Sequence, residues 1–480
     1  MYNFTPDSAV ALQIKFGTTN FDVRKFSSLM KFGFFITLLA VAAISVCCAD
    51  ASGNTQTFGD FRDYALTPPM GWNSWDCYGP TVVEQEVKDA ADYMAANLHQ
   101  HGWEYIVVDI RWFVENDHAG GYNVDDQIYV MDEWGRYTPA VNRFPSAADG
   151  AGFKPLADYV HDKNLKFGIH LMRGIPKIAV EADCPVKGTD GITASQIYNE
   201  DRLCDWLPDN YSVDFAKPGA QEYYNSLFEL YASWGVDFVK IDDLSRPYHK
   251  EEIEMIRKAI DGCGRAIVLS ASPGETPVAE AGHISAHANM WRMVGDVWDI
   301  WGDVTHLMDV ADSWYPYIKP GTWPDCDMIP LGHLAIRGER GEDRKTRLTE
   351  SEQYSLMNLF LILRSPLMFG GDLPTMDDAT LRLLTNEAAL EAHRYGIGVR
   401  PLFHEDGRLA VMSDDSRGKG CWLAMFNASD EDQTIVANLA EAGVKGRTAE
   451  DVWTGERVSV KGGCISVSLA PHASMMVRIK

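Results

Sequence analysis

The feature that most restricts the fold of this chain is a regular alternation of short apolar and longer amphipathic stretches between about Thr67 and Tyr395. Eight apolar stretches of strand length alternate with segments of helical periodicity, which is the rhythm of a (β/α)8 barrel. A doubly wound parallel sheet is the alternative. It is disfavoured because no glycine fingerprint follows the first strand and polar residues end many strands. The sequence predicts an α/β TIM barrel with strands at 70–75, 105–109, 166–172, 238–242, 266–270, 289–292, about 325–328 and 366–370, and helices including 83–98, 153–163, 220–234 and 250–260.

A second domain is predicted where the pattern changes near Gly398. Short strands separated by turn residues follow, which is typical of an antiparallel β-sandwich of about 80 residues. The predicted organisation is an N-terminal extension with a signal peptide (1–51), a catalytic barrel (66–397) and a C-terminal β-sandwich (398–480). The predicted sandwich strands are 409–412, 420–426, 433–438, 448–452, 457–460, 464–469 and 474–479.

The segment 31–49 begins with a lysine and continues as an apolar run that ends in small residues. This pattern predicts a secretory signal, with Met30 as a natural start and cleavage after Ala49 or Ala51. We therefore expect an exported protein, periplasmic or extracellular. Lipidation at Cys47 or Cys48 is an alternative.

Net charge and cysteine content restrict the partners. A formal charge of −25 argues against nucleic acid and anionic membranes and fits neutral substrates. Seven scattered cysteines follow the signal, which predicts at most one or two disulfides, with Cys184 and Cys204 the favoured pair. No His/Cys spacing resembles a zinc site, so no metal and no cofactor are expected. The oligomeric state is left open.

The strand 238–242 ends in a carboxylate. Side chains alternate across a strand, so Phe238, Lys240 and Asp242 share one face while Val239 and Ile241 share the other. A lysine on the same face keeps Asp242 ionised, as a nucleophile must be. A purely structural Asp–Lys pair is the alternative.

A second carboxylate, Asp296, follows Arg292 by four residues on a loop after a strand. A partly desolvated carboxyl in that position can hold the proton that a leaving oxygen needs. Asp299 and Asp303 belong to the same acidic stretch and are its rivals, or are solvated or capping residues. Two carboxylates at different strand ends of one barrel are what retaining glycoside hydrolysis requires, with a separation of about 5–5.5 Å.

Other polar and aromatic residues stand at or near the predicted strand ends, where barrel enzymes place their active sites. Together they suit a hydroxyl-rich ligand. The segment 173–210 is long for a barrel loop, and Trp206 and Tyr211 are expected either to shape an outer subsite or to belong to a surface excursion. The strand-end residues are Trp75, Asp109, His170, Asp242, Ser270 and Arg292, with Asp296 just beyond.

Five motifs occur along the chain: PMGWNSW at 69–75, VKID at 239–242, WR at 291–292 with Asp296, WPDCDM at 323–328 and RSPLMFGGDL at 364–373. In this order they resemble the α-galactosidase (melibiase) family, glycoside hydrolase family 27. The resemblance covers about Thr67 to Lys480 and implies a retaining mechanism, with Asp242 as the nucleophile and Asp296 as the acid/base. It also implies that Lys240 binds sugar hydroxyls.

The resemblance assigns the remaining sugar contacts. Arg292 matches the arginine near the hydroxyl next to the anomeric centre, and Trp75 matches the aromatic wall of the pocket. Asp109 matches the first of two adjacent aspartates that bind the axial O4 and the O6 of galactose.

Three positions depart from the family pattern. Ile110 replaces the second aspartate, which removes a polar contact that can be worth about 1–3 kcal/mol. His170 stands where the family has a tyrosine, and we expect it to contact the sugar rather than to be purely structural. The stretch SASPGE at 270–275 replaces a Cys-Glu-Trp motif, leaving Glu275 as a stand-in for recognition of O2.

The sequence therefore predicts an α-galactosidase that removes terminal α-linked galactose from oligosaccharides or galactomannan side chains. A β-L-arabinopyranosidase of the same family is one alternative, because that sugar is galactose without C6 and Ile110 could pack where O6 would otherwise be bound. A non-catalytic sugar binder is another, but such a protein has no need for both Asp242 and Asp296.

Overall fold

The computed structural model describes residues 59–444, 446 and 448–480. These residues belong to one compact unit, Thr57–Lys480. The predicted signal segment, its start and cleavage sites and the alternative lipidation at Cys47 or Cys48 lie outside the described residues. Among the residues that are described, we find no helix long and apolar enough to cross a membrane.

The predicted barrel is confirmed. Its strands are all parallel. The strand β7 consists of two parts that pair with different neighbours, and this pairing closes the ring. The first part of β7 pairs with β6, and the second part pairs with β8. The two edges of the sheet are thus parts of one strand. The strands are β1 (Met70–Asn73), β2 (Tyr105–Val108), β3 (Lys166–Met172), β4 (Phe238–Asp242), β5 (Val268–Ala271), β6 (Met290–Arg292), β7 (Trp323–Asp325 with Met328–Ile329) and β8 (Leu367–Phe369).

The interruption in β7 has a local cause. Asp327 adopts φ +83°, a left-handed conformation that cannot continue a strand, and its N–H donates to Asp325 Oδ1 over 2.9 Å. The sequence pattern predicted a continuous strand around 325–328. The observed break instead directs the Asp327 side chain into the mouth of the barrel, where it lines the candidate active site.

The strands are nearly uniformly apolar because both of their faces are covered. On β2, Tyr105 and Val107 join a cluster inside the barrel, whereas Ile106 and Val108 pack in the layer against the helices. β4 follows the same alternation, with Phe238 inside and Val239 in the outer layer. The predicted division of β4 into two faces is therefore confirmed.

Helices form the outer ring and follow each strand in turn. The helix after β5 is reduced to a single turn, and two helices follow β8. The ring consists of α1 (Glu84–Asn97), α2 (Lys154–His161), α3 (Ala220–Trp234), α4 (Lys250–Gly262), α5 (Ala281–Ile284), α6 (Trp301–Ala311), α7 (Glu350–Leu363), α8 (Asp378–Thr385) and α9 (Glu387–Tyr395); two shorter helices, Trp75–Tyr78 and Lys177–Glu181, lie in loops.

The C-terminal strands form the predicted antiparallel sandwich, with a six-stranded and a three-stranded sheet in the described residues. One long strand, Gly396–Glu405, was not predicted, because two register shifts break its alternation. The predicted boundary at 397/398 falls inside this strand. The other strands are Arg408–Asp415, Cys421–Asn427, Gln433–Asn438, Ala449–Asp451, Arg457–Val458, Val460–Lys461, Cys464–Leu469 and Ser474–Ile479.

Helix α7 is buried because the sandwich packs against it. Ser355 Oγ donates to the carbonyl of His472 over 2.6 Å, and Asn358 Nδ2 donates to Ser474 Oγ over 2.8 Å. Trp453 Nε1 donates to Asn358 Oδ1 over 2.8 Å. The sandwich is therefore held against the barrel by specific hydrogen bonds as well as by apolar contacts.

The predicted disulfide between Cys184 and Cys204 is not formed. Each of the seven cysteines in the described residues is a free thiol. Cys184 packs against Gly135, whereas Cys204 lies beside Leu207 and near Asp243. The two residues flank one loop in the sequence, but the loop places their side chains in different surroundings.

Candidate active site

A pocket of about 380 Å³ opens at the carboxyl ends of the barrel strands. It lies where barrel enzymes place their chemistry, and its size suits a small ligand. The structure brings seven of the predicted site residues to this pocket: Trp75, Asp109, His170, Lys240, Asp242, Arg292 and Asp296.

Asp242 ends β4, and its side chain is 13% exposed. Burial alone would raise its pKa, but the neighbouring charges of His170 and Lys240 outweigh this effect and hold the pKa of Asp242 well below its usual range. His170 Nε2 lies 3.3 Å from Asp242 Oδ2. Asp242 is therefore ionised in the pocket, the state that a nucleophile requires.

His170 lies between two carboxylates. Its Nδ1 is 2.5 Å from Asp109 Oδ1, and its Nε2 faces Asp242. Burial lowers the pKa of His170, but Asp109 and Asp242 together raise it above its ordinary value against the opposing charge of Lys240. The ring is fully buried and lines the pocket wall. Both ring nitrogens are thus directed at protein carboxylates, so the structure gives His170 a role in orienting and charging those groups.

Asp109 directly follows β2 and holds this network together. Its Oδ2 accepts from Asn73 Nδ2 over 2.8 Å and from Lys240 Nζ over 3.2 Å. Burial raises the pKa of Asp109, yet His170 and Lys240 bring it below the ordinary value. The next residue, Ile110, is buried in the apolar core. The carboxylate that the family pattern has at this position is therefore replaced by a hydrocarbon side chain.

Arg292 connects the acid/base candidate to a third carboxylate. Its Nη2 lies 3.2 Å from Asp296 Oδ1, and its Nη1 lies 2.5 Å from Asp327 Oδ1. Burial raises the pKa of Asp327, and the charge of Arg292 opposes this rise. Asp327 is anchored further, because its Oδ2 accepts from the Val297 N–H over 2.8 Å. Arg292 is thereby fixed in place beneath the loop that carries Asp296.

Asp296 differs from its two rivals in exposure. Its side chain is 45% exposed at the rim of the pocket, within reach of Arg340 at 3.7 Å. Asp299 is fully buried and paired with Arg344 and Arg347. Asp303 Oδ2 accepts from the Trp298 N–H over 2.9 Å. Asp299 and Asp303 therefore organise the loop, and of the three carboxylates Asp296 is the one that lines the pocket.

An aromatic wall forms one side of the pocket. The rings of Trp75 and Tyr122 lie 5.5 Å apart, and the Arg111 guanidinium lies 5.6 Å from the centre of the Tyr122 ring. Arg111 is itself fully buried and pairs with Asp209 at 3.0 Å. Tyr122 was missed in the sequence because a long irregular segment separates it from β2, and only the fold brings it beside Trp75.

The loop at 173–210 contributes to the pocket through one of its two predicted aromatic residues. Trp206 lines the pocket, whereas Tyr211 packs against Tyr198 with ring centres 4.9 Å apart. The proposed role of Glu275 in recognising O2 is not supported, because its carboxylate lies 3.0 Å from His306 at the surface and outside the pocket lining. The cis Ser272–Pro273 bond precedes this residue.

Two buried carboxylates in the pocket were not predicted, although both lie in or next to quoted motifs. Asp327 belongs to WPDCDM, and Asp76 follows PMGWNSW. Burial and the charge of Asp327 raise the pKa of Asp76 well above its usual value. Its Oδ2 packs against Gly370, where a Cβ atom would lie only 2.0 Å away. Gly370, the first glycine of RSPLMFGGDL, is therefore required because no side chain fits there, not because the backbone must be flexible.

Comparisons with known proteins agree with this geometry. A family profile described as alpha galactosidase A matches residues 211–394, and one for the alpha galactosidase C-terminal beta sandwich domain matches residues 406–479. A curated relative, alpha-galactosidase 2 of Arabidopsis thaliana, is 28% identical over 86% of this chain and 89% of its own length. Alpha-galactosidase A of Cellvibrio japonicus is 27% identical over 82% and 83%.

A solved structure is more similar. The GH27 β-L-arabinopyranosidase of Geobacillus stearothermophilus is 47% identical, with a TM-score of 0.85, and the match covers 88% of this chain and 98% of that one. With the barrel, the sandwich and the lined pocket in place, these matches show that the chain belongs to glycoside hydrolase family 27, the α-galactosidase family.

Proposed function

We propose that the protein is a retaining exo-glycosidase that removes terminal α-linked D-galactose by double displacement. One observation carries this proposal: Asp242 is held ionised by His170 and Lys240 in the same pocket that exposes Asp296. A sugar-binding barrel without catalysis has no need for both of these carboxylates, and an ionised carboxylate deprived of water is costly to maintain.

The proposed first step forms a covalent glycosyl-enzyme. The Asp242 carboxylate attacks C1 of the sugar, and the electron pair of the breaking C–O bond stays with the leaving oxygen, which takes a proton from Asp296. In the second step Asp296 accepts a proton from water as the water oxygen attacks C1, which releases Asp242 and the sugar. Two inversions at C1 give net retention.

The ring hydroxyls would be held by charged groups whose positions are fixed. Asp109 and Lys240 form one ion pair at 3.2 Å, and Arg292 is anchored by Asp327 at 2.5 Å. These groups need little reorganisation on binding, because their partners already orient them. Trp75 supplies the apolar surface for a ring face.

A second candidate substrate is a terminal β-L-arabinopyranoside, and Ile110 is the observation that favours it. The two sugars differ only in the C6 hydroxymethyl group, and Ile110, which is buried in the apolar core and does not line the pocket, provides no carboxylate for O6. The 47% identical structure is that of a β-L-arabinopyranosidase. The α-galactosides remain the first candidate because the family profiles and the curated relatives carry that description.

The test is the ratio of kcat/KM on the nitrophenyl α-D-galactopyranoside to that on the nitrophenyl β-L-arabinopyranoside. Replacing Ile110 by Asp restores the carboxylate of the family pattern, so this ratio should rise by about 10-fold or more. A wild-type ratio below one identifies the arabinopyranoside as the preferred substrate. Sugar binding without turnover of either glycoside contradicts the proposal. The melting temperature of each variant controls for damage to the core around residue 110.

We further propose that the enzyme is exported, since segment 31–49 has the composition of a secretory signal. Activity in the medium or periplasm, with an N-terminus near residue 50 or 52, is the expected result. Retention in the membrane fraction would indicate lipidation at Cys47 or Cys48, and a cytoplasmic protein that keeps residues 31–49 would contradict export.

A further inference from the structure

We propose that Glu254, His283 and His287 bind a divalent transition-metal ion such as Zn²⁺ on the outer face of the barrel. One potential ligand atom from each of the three side chains lies within 4.8 Å of the others. Two imidazoles and one carboxylate form a ligand set that zinc accepts, with water completing the coordination. The site is separate from the pocket, whose lining includes none of the three residues.

The two histidines come from one turn of the backbone. His283 lies in α5, and the turn continues past its end, because the Ala288 N–H donates to the Ile284 carbonyl over 2.8 Å. A spacing of four residues places both side chains on one face. Their rings are stacked, with centres 4.2 Å apart. Glu254 comes from α4, so the spacing of the histidines alone could not reveal the third ligand.

His287 already has the tautomer of a metal ligand. Its Nδ1 lies 2.8 Å from the backbone carbonyl of His283. A carbonyl only accepts, so Nδ1 must carry the hydrogen, and in the neutral ring Nε2 keeps its lone pair. A hydrogen bond from the second nitrogen to a carbonyl is the usual way in which proteins orient metal-binding histidines.

His283 can adopt the same state with little rearrangement. Its Nδ1 lies 2.6 Å from the Tyr248 hydroxyl, which can accept as well as donate, and its Nε2 lies 3.2 Å from Glu254 Oε1. The His283 side chain is 10% exposed and Glu254 is 50% exposed, which leaves an entry path from solvent.

Binding of the metal ion would connect segments of the barrel's outer ring. Glu254 belongs to α4, the histidines belong to the turn after β5, and Tyr248 belongs to the loop after β4. That loop also carries Arg246, which lines the active-site pocket. A bound ion would therefore tie together two neighbouring segments of the outer ring and brace the loop that follows the nucleophile.

The experiment uses the full-length protein, stripped with EDTA and dialysed. ZnCl₂ at about 100 times its dissociation constant should raise the melting temperature by at least about 2 °C. Co²⁺ should produce a visible absorption band that Zn²⁺ displaces, which reports direct ligation. His287→Gln should weaken zinc binding by at least about 10-fold. His287 is preferred to His283 for substitution because the hydrogen bond of its Nδ1 is to the backbone of its own turn.

The matched control is His306→Gln. His306 lies 3.0 Å from Glu275 and is 50% exposed, so within the described part of the chain it forms a histidine–carboxylate pair that no second imidazole joins. This variant should bind Zn²⁺ and Co²⁺ as the wild type does. The proposal is overturned if the wild type binds no zinc saturably, or if His287→Gln and Glu254→Gln both leave the affinity and the cobalt spectrum unchanged.

Discussion

Two buried charge clusters in this molecule are built from similar groups but are completed differently. In the sandwich, Asp415 is saturated: its Oδ1 accepts from the N–H and Nε of Arg417 at 2.8 and 3.0 Å, and its Oδ2 accepts from Arg417 Nη2 at 2.9 Å and from Arg478. In the barrel pocket, Asp242 Oδ1 is buried without a hydrogen-bond partner among the described residues.

This difference separates a cluster that stabilises the fold from one that is prepared for a ligand. A buried acceptor without a partner costs about 1–3 kcal/mol, so its presence in a native protein calls for an explanation. The sandwich cluster satisfies its carboxylate internally. In the pocket cluster, His170 and Lys240 hold Asp242 ionised while its Oδ1 has no hydrogen-bond partner among the described residues, as is expected of a carboxylate that acts on a ligand.

The largest effect is expected from Asp242→Asn. The substitution removes the nucleophile, so kcat/KM should fall by about 10⁴-fold or more, as for other covalent catalysts. Binding of free sugar should persist, and the melting temperature should not fall, because an ionised carboxylate without a full set of partners has been removed. Steady-state kinetics and calorimetric titration check this. Turnover by Asp242→Asn within 10-fold of the wild type would show that the Asp242 cluster has no catalytic role that distinguishes it from the Asp415 cluster.

Asp296→Ala should lower kcat/KM by about 10²–10⁴-fold for glycosides with poor leaving groups, since protonation of the departing oxygen is lost. Nitrophenyl glycosides should suffer less because their leaving group needs little protonation. Added azide should restore turnover by entering the vacated space. The matched control is Asp303→Ala, because Asp303 is the rival carboxylate in the same acidic stretch. A loss of kcat/KM as large as that of Asp296→Ala would identify Asp303 as the acid/base.

His170→Gln tests the charge balance of the pocket. His170 helps to hold the pKa of Asp242 low, so without the imidazolium that pKa should rise and the acidic limb of the kcat/KM profile should move to higher pH. A fall of about 10-fold in kcat is expected at neutral pH. An acidic limb at the wild-type position would remove His170 from this role.

Asp415→Asn should have the smallest effect on activity of these substitutions. Its effect on the free energy of unfolding should be larger than that of Asp242→Asn. Burial raises the pKa of Asp415, but Arg417 and Arg478 lower it to about 2. Loss of this charge should reduce the free energy of unfolding by about 3 kcal/mol at neutral pH. Because the folded-state pKa is lowered, the difference from wild type should shrink as the pH falls from about 4 toward about 2. Urea unfolding measures this difference in the free energy of unfolding. The kcat/KM of Asp415→Asn should be unchanged, in contrast to that of Asp242→Asn.

The sequence predicted the barrel well because its strands are buried on both faces and read as continuous apolar runs. β3 and β4 were predicted with their exact limits. The pocket residues followed from the same pattern, since the carboxyl ends of all the parallel strands of a barrel lie at one mouth. Asp242 and Asp296 were found in this way without knowledge of their contacts.

The remainder depends on backbone conformations and distant contacts that periodicity does not encode. The left-handed φ of Asp327 splits β7 and turns a carboxylate into the pocket. Tyr122 reaches Trp75 through a long segment that Arg111 and Asp209 hold in place. The predicted disulfide is not formed, because two cysteines that flank one loop in the sequence can still lie in different surroundings.

The separation of about 5–5.5 Å between the Asp242 and Asp296 carboxyl groups stays a prediction of the retaining scheme. The most direct measurement is proton NMR of the sugar anomer that the wild-type enzyme releases first, recorded before mutarotation. Double displacement predicts that the first anomer has the configuration of the substrate, α from an α-galactoside. First release of the opposite anomer would mean direct attack by water and would contradict a nucleophilic Asp242.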